Sequence, residues 1–356
     1  MSCAIVFFVT NQLGLTNFWI VSRDFKPVKR QILKLDNYEE LQSLFTSTLR
    51  NYLNTPSGGY MLSFEPINAD NILKATEFFK YKITRTSDYT IGAMYMWRDF
   101  YETQFTIHDN MIFYKVKFLN RTSFTIPVGS GSLPQAMEAL KEYCNANNLP
   151  LWFCTIPEPL LPILVDQYKG TIPGTPSRDW ADYLYQAEDL ADLAGRRYSG
   201  QRNHINKFKK LYPNYSYHRI TEENLQKVTD FLVDYEKNHG KSTSLAKEEL
   251  NRTLELLPFL SRFNLPGAFI EVDDTIVALA IGEVVNDTLY CHIEKANRDY
   301  PGSYQMIVKE FSSDMRSSFG IQYINREEDV GDEGLRTSKL SYHPIELLDK
   351  YCVLIP

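Results

Sequence analysis

Ile321-Gln322-Tyr323-Ile324-Asn325-Arg326-Glu327-Glu328-Asp329-Val330-Gly331-Asp332-Glu333-Gly334-Leu335-Arg336-Thr337-Ser338-Lys339-Leu340-Ser341-Tyr342-His343-Pro344 joins a short strand-like run to a dense set of charges. Two glycines punctuate the charges, and Pro344 stops any helix that runs into it. A core segment does not carry so many ionisable groups. The stretch reads as a polar site on the end of a strand, where ligands bind in sheets flanked by helices.

Outward from this segment, one order of elements is predicted twice. From Met61 the pattern runs strand Leu62–Ile67, helix Asn71–Lys80 and helix Ser87–Trp97. Strands Gln104–His108, Met111–Lys117 and Ser123–Val128 follow, with Asp109-Asn110 as a hairpin turn. Helix Leu133–Asn147, strand Leu151–Thr155, helix Glu158–Gln167 and a closing strand Asp182–Gln186 complete the first half. A connector helix, Leu190–Leu211, opens the second half. Strand Tyr215–Ile220 and helices Glu222–Asn238 and Leu245–Leu257 come next. Strands Ala268–Val272, Thr275–Val284 and Thr288–Ile293 are joined by turns at Asp273-Asp274 and Asn286-Asp287. Helix Tyr304–Ser318, strand Ile321–Asn325 and a last strand Tyr351–Ile355 end the chain. The periods give an α+β or α/β chain with mixed sheets. The expected domains are residues 61–188 and 189–356, with residues 1–60 an N-terminal extension or a misread start upstream of Met61.

Two further motifs accompany the signature: Asp182-Tyr183-Leu184-Tyr185, and the run Gly195-Arg196-Arg197-Tyr198-Ser199-Gly200-Gln201-Arg202-Asn203-His204-Ile205-Asn206-Lys207-Phe208. A weaker one is Ser87-Asp88-Tyr89 with Met96-Trp97-Arg98-Asp99-Phe100-Tyr101. Together, over Met61 to Pro356, they resemble the C-terminal domain family of bacterial phosphatidylglycerol lysyltransferases, which includes stand-alone members. The resemblance implies two tandem GNAT-type N-acyltransferase folds, similar to Fem-type aminoacyl transferases. It also implies transfer of an activated acyl or aminoacyl group, carried on tRNA or coenzyme A, to an amine or hydroxyl acceptor. Such an acceptor is a small amine, a peptide or a lipid headgroup. The alternative is a non-catalytic protein of the same fold that binds a nucleotide, RNA or other anion through a basic face.

The 356 residues carry 44% apolar side chains, enough for two cores, and a net charge of −6. A dedicated nucleic-acid binder is more often basic overall, so a contact with tRNA requires a local patch. Cys3, Cys144, Cys154, Cys291 and Cys352 are odd in number and scattered. They suggest neither a disulfide framework nor a metal site, and they fit reduced thiols in the cytoplasm. The apolar runs near the N-terminus are broken by Asn11, Gln12, Thr16 and Asn17, so neither a leader nor a membrane span is expected.

Several residues are candidates for chemistry. Arg298, Gly302, Ser303 and Tyr304 form the connection from strand to helix that cradles the pyrophosphate of coenzyme A in N-acyltransferases. Only Gly302 keeps the glycine pattern, and a plain Pro-Gly turn capped by Ser303 is the other reading. Gly129-Ser130-Gly131-Ser132 is the equivalent loop of the first half. Arg202, Asn203, Asn206 and Lys209 recur at helical steps within a basic, acid-free stretch from Arg196 to Arg219. That face suits phosphates, or it is simply a solvated connector. Asn325, Arg326, Arg336 and Lys339 are the expected substrate-binding groups of the signature. Asp329 either orients an acceptor amine or pairs structurally with Arg336 and Lys339. His292 and Glu294 share one face of a strand and are the candidate bases, and Tyr342 is the candidate acid. A structural histidine is the alternative for His292.

Overall fold

A computed structural model describes residues 62–239 and 244–356, together with four short strands between residues 10 and 29. Met1–Tyr60 and Met61–Pro356 are separate units. In the first, Thr10–Gln12 pairs with Leu15–Asn17 and Ile20–Val21 with Pro27–Lys29. Whether residues 1–60 are a genuine extension lies outside the described residues.

The second unit holds two mixed sheets. The first runs Ile172–Pro173, Lys350–Ile355, Leu151–Pro157, Arg121–Phe124, Met111–Phe118, Gln104–His108, Glu65–Pro66, with Val128–Gly129 attached to Met111–Phe118. The second runs Ser216–Arg219, Gly267–Val272, Thr275–Val285, Thr288–Ala296, Tyr323–Asn325, Asp182–Gln186, Glu346–Leu348. Each sheet has an antiparallel meander that meets one parallel neighbour across a helical crossover. In the first sheet these are Arg121–Phe124 and Leu151–Pro157, and in the second Thr288–Ala296 and Tyr323–Asn325. The chain is α+β, with two tandem GNAT-type halves.

Turn chemistry fixes the meanders. Asp109 and Asn110 both have positive φ (47° and 58°), as do Asp273 and Asp274 (46° and 62°). That conformation matches the twist of two-residue hairpins, and Asn and Asp tolerate it best.

The outer strands differ from expectation. Asp182–Gln186 does not close the first sheet. It pairs with Tyr323–Asn325 and Glu346–Leu348 in the second. Lys350–Ile355 pairs with Leu151–Pro157 and so completes the first sheet. The halves therefore exchange strands, and the sheets do not divide at residue 188. The physical reason is that alternation specifies which face a side chain takes, not which neighbour the strand finds.

Several helices also differ. Residues Ile72–Tyr81 form a 3-10 helix. Ser87–Trp97 divides into a turn, Ser87–Tyr89, and a helix, Ile91–Trp97, at Thr90, whose hydroxyl accepts from the Ala93 N–H as an N-cap. The connector breaks into Ala187–Asp192 and Ser199–Leu211. Leu193 ends the first piece in the left-handed region, and Gly195 turns the chain at φ 82°.

Candidate functional site

The splay of the second parallel junction places the site. Tyr290 lies opposite Asn325, the last pair in register. Beyond it, Cys291–Ala296 continues as strand while Arg326 leaves with the signature loop. Into this wedge opens a cavity of about 770 Å³, lined from both halves. Asp88, Trp97, Tyr101 and Tyr114 come from the first half, and His292, Glu294, Tyr304, Arg326, Glu328 and Lys339 from the second. Lys350, on the exchanged strand, lines it as well.

Arg326 is the centre of the second-half wall. Its guanidinium is buried and donates twice to Glu294 Oε2, from Nε at 3.0 Å and Nη2 at 2.6 Å. Nη2 also reaches the Tyr304 hydroxyl, and that hydroxyl donates to Glu294 at 3.3 Å. The Tyr342 ring lies 4.9 Å from the guanidinium carbon. Nη1 is buried and has no hydrogen-bond partner among the described residues. A buried donor left unpaired costs about 1–3 kcal/mol, so its retention asks for a ligand oxygen or water.

His292 is held between two carboxylates. Nδ1 is 2.8 Å from Glu327 Oε1 and Nε2 is 3.4 Å from Glu283 Oε2. Burial works against the imidazolium, but the hydrogen bonds and charges of Glu283 and Glu327 outweigh it and lift its pKa to about 9. A base at neutral pH needs a free lone pair, and the two carboxylates instead favour the imidazolium, in which both ring nitrogens donate. Glu283 also accepts from the Ile91 and Gly92 N–H groups at the start of helix Ile91–Trp97. The triad thus bolts the first half to the second. A Cβ on Gly92 would fall 2.4 Å from the His292 ring, so glycine is required there.

The signature loop is pinned rather than loose. Asn325 is buried and donates to Arg85 O at 2.6 Å and Asp182 Oδ2 at 2.9 Å. Lys339, also buried, donates to the carbonyls of Arg326, Glu327 and Glu328 at 2.6, 3.2 and 2.5 Å. Glu327 and Val330 are held at φ 56° and 45°. Such backbone persists only where surrounding bonds over-determine it. Asp329 is fully buried and accepts from Arg178, Tyr183, Gly331 and Arg336. Burial alone would raise its pKa. The bonds from Arg336, Tyr183 and Gly331 instead hold the carboxyl at about 2. Arg336 is further engaged by Asp179 at 2.6 Å and Glu333 at 3.1 Å. Asp329, Arg336 and Asn325 therefore brace the loop and do not line the cavity.

The other expected residues lie elsewhere. The Tyr342 hydroxyl is buried without a partner among the described residues, and burial pushes its pKa far above the usual phenol range. It backs Arg326 from outside the cavity lining. Arg298 is exposed and does not line the cavity. Gly302, at φ 95°, packs on helix Ser199–Leu211: a Cβ there would lie 2.4 Å from His204 O. Ser303 is buried and donates to Asn297 O. Gly302 of the connection expected to cradle a pyrophosphate thus packs against a helix, and only Tyr304 of that group reaches the cavity. Arg202 donates to Leu193 O at 2.5 Å and Gly195 O at 2.6 Å, which satisfies carbonyls freed by the helix break. Asn203, Asn206 and Lys209 are exposed on the outer face of their helix, opposite Ile205 and Phe208.

A further cluster gathers around Lys350. Lys350 Nζ lies 2.7 Å from Asp182 Oδ1, 3.2 Å from Asp88 Oδ2 and 3.6 Å from Glu328 Oε2. Asp88 and Asp182 sat inside the quoted motifs and Glu328 inside the signature. Lys350 carried no signal, because its role depends on the strand exchange.

Over residues 81–354 the chain matches the family described as phosphatidylglycerol lysyltransferase, C-terminal. The chain belongs to this family. A conserved protein of unknown function from Bacteroides thetaiotaomicron VPI-5482 is 31% identical, with a TM-score of 0.78, and the match covers 83% of this chain and 100% of that one. The structure of L-PGS from Bacillus licheniformis shares the fold at 13% identity and a TM-score of 0.56, covering 82% of this chain and 92% of that one. The uncharacterized protein MYCGA3080 of Mycoplasmoides gallisepticum (strain R(low / passage 15 / clone 2)) is 25% identical over 175 residues, 49% of this chain. The match spans 56% of that curated relative's length. Among the described residues of this family member, no helix is long and apolar enough to cross a membrane.

Proposed function

We propose that this protein is an acyltransferase of the aminoacyl class. It moves an activated acyl group from a carrier to an amine or hydroxyl acceptor inside the cavity between its halves. The observation that carries the reading is Arg326 Nη1, a buried cationic donor with no hydrogen-bond partner among the described residues, on a side chain of the cavity wall. A donor so placed suits the carbonyl oxygen of the acyl group, which gains negative charge as the acceptor attacks. Glu294 and Tyr304 hold the guanidinium in one orientation, so no reorganisation is needed when that charge develops. Membership of a family named for lysyl transfer supports the aminoacyl class.

An ester-linked donor such as aminoacyl-tRNA fits better than an acyl-coenzyme A. Gly302 packs against helix Ser199–Leu211, and the exposed face of Asn203, Asn206 and Lys209 offers an RNA backbone a polar, cationic surface. Thermal unfolding with aminoacyl-tRNA, uncharged tRNA or coenzyme A tests the donor. A ligand at about 100 times its Kd adds roughly 2.7 kcal/mol and raises the midpoint visibly. The expected result is a shift with aminoacyl-tRNA that exceeds the shift with uncharged tRNA and shrinks in Arg326→Lys. A shift with coenzyme A alone overturns the choice of donor.

A further inference from the structure

We propose that Glu328 is the proton acceptor of the transfer, taking the proton of the attacking amine or hydroxyl, and that Lys350 is its positioning residue; this rests on the transferase reading above. The other glutamates around the cavity are committed. Glu294 is held by Arg326, Glu327 by His292, Glu249 by Lys295 at 2.6 Å and Glu102 by Lys117 at 2.8 Å. Asp88 is the nearer of the two to Lys350, at 3.2 Å, and its Oδ2 is buried without a hydrogen bond among the described residues, whereas Glu328 is the more exposed carboxylate. Glu328 has no side-chain hydrogen bond among the described residues, and its nearest cation, Lys350, is 3.6 Å away. Its side chain is 31% exposed and lines the cavity. Its backbone is fixed by Lys339 on its carbonyl. It therefore keeps lone pairs free on a rigid loop, two residues from Arg326.

The charges that face it come from several elements. Lys350 lies on the exchanged strand, Asp182 on strand Asp182–Gln186 of the other sheet, and Asp88 on the turn Ser87–Tyr89. Glu327 and Lys339 belong to the signature, and the Tyr101 phenol also feels Glu328. Burial raises the Glu328 carboxyl most. Lys350 holds it down, and Asp182, Glu327 and Asp88 push it up again, to about 7. A carboxyl poised there can take a proton and return it at neutral pH.

The step balances without a further reactant. The acceptor's nitrogen or oxygen forms a bond to the acyl carbon, and its proton passes to Glu328. The carbon–oxygen bond of the donor ester breaks. The leaving oxygen takes the proton back from Glu328, which ends ionised.

The first arm of the test needs no substrate. In protein carrying carbon-13 at glutamate carboxyls, a resonance absent from Glu328→Gln should titrate near pH 7. Titration below pH 5 overturns the proposal. The second arm is transfer from aminoacyl-tRNA. Glu328→Gln should lose at least about 100-fold in kcat, within the usual worth of a general base, while the donor still shifts its unfolding midpoint as in the parent protein. Full transfer by Glu328→Gln overturns the proposal. The acid limb of the pH–rate profile should move to higher pH in Lys350→Met and to lower pH in Asp88→Asn. Asp88→Asn keeps the test open if Lys350→Met fails to fold. An unmoved limb in folded variants overturns the positioning role. A parent protein that transfers from neither aminoacyl-tRNA nor acyl-coenzyme A overturns the transferase reading, and the role of Glu328 with it, whatever the titration shows.

Discussion

Lys350, on the strand that completes the first sheet, makes a buried 2.7 Å ion pair with Asp182, on a strand of the second. Each residue sits in the sheet of the other half, so the pair locks the exchange. Lys350 is raised well above its usual pKa by Asp182, Asp88 and Glu328 against the opposing effect of burial. Asp182 is lowered, because Lys350, Asn325 and the Ser87 N–H outweigh its burial. Lys350→Met should cost about 3–5 kcal/mol, the range for removing one partner of a buried pair. Chemical denaturation of the two proteins measures it. Because Asp182 is lowered, its contribution is present above the unfolded carboxyl pKa and disappears as pH falls below it.

His292 gives the opposite sign. Its folded pKa, about 9, lies above the unfolded value of 6.5. Its stabilisation is complete below the unfolded pKa and is lost as pH rises through the folded one. The shift corresponds to about 3 kcal/mol in order of magnitude. Unfolding midpoints between pH 6 and pH 10 should fall more steeply for the parent protein than for His292→Gln.

Gly302→Ala separates packing from phosphate binding. The new Cβ meets His204 O at 2.4 Å, on a backbone at φ 95°. The expected loss is about 1–3 kcal/mol of stability. Any loss of coenzyme A affinity beyond that unfolding would reinstate a pyrophosphate site, and titration calorimetry at a temperature where both proteins are folded decides it.

Arg202 and Lys209 should behave differently although both lie on one helix. Arg202→Ala removes bonds to Leu193 O and Gly195 O and should cost about 1–3 kcal/mol. Lys209 is exposed, so Lys209→Ala should stay within about 0.5 kcal/mol of the parent. If the outer face touches RNA, Lys209→Ala weakens tRNA binding and lowers its salt slope by roughly one unit, as removal of one phosphate contact does.

Much of the fold was legible because local rules agree with the final structure. The Asp109-Asn110 and Asp273-Asp274 turns and the alternation of the meanders specify hairpins without reference to anything distant. The exchange of Asp182–Gln186 and Lys350–Ile355 was not legible, since partner choice is a tertiary matter. For the same reason the sequence pointed to Arg326, Glu294 and Lys339 by type but could not distinguish Arg326, whose buried Nη1 has no hydrogen-bond partner among the described residues, from Arg336, whose fork is spent on Asp329, Asp179 and Glu333. His292 looked like a base because its strand face was right. Glu283 and Glu327, which keep it protonated, lie 9 residues before it and 35 after.

The most direct measurement follows a labelled amino acid from a mixed aminoacyl-tRNA pool into non-RNA product, with the parent protein and with Arg326→Lys. The parent should form product, and the variant, which keeps the charge but loses the fork held by Glu294, should be at least about 100-fold slower while remaining folded. Equal rates in the two proteins, or no product from the parent with any amino acid in the pool, would contradict acyl transfer at Arg326.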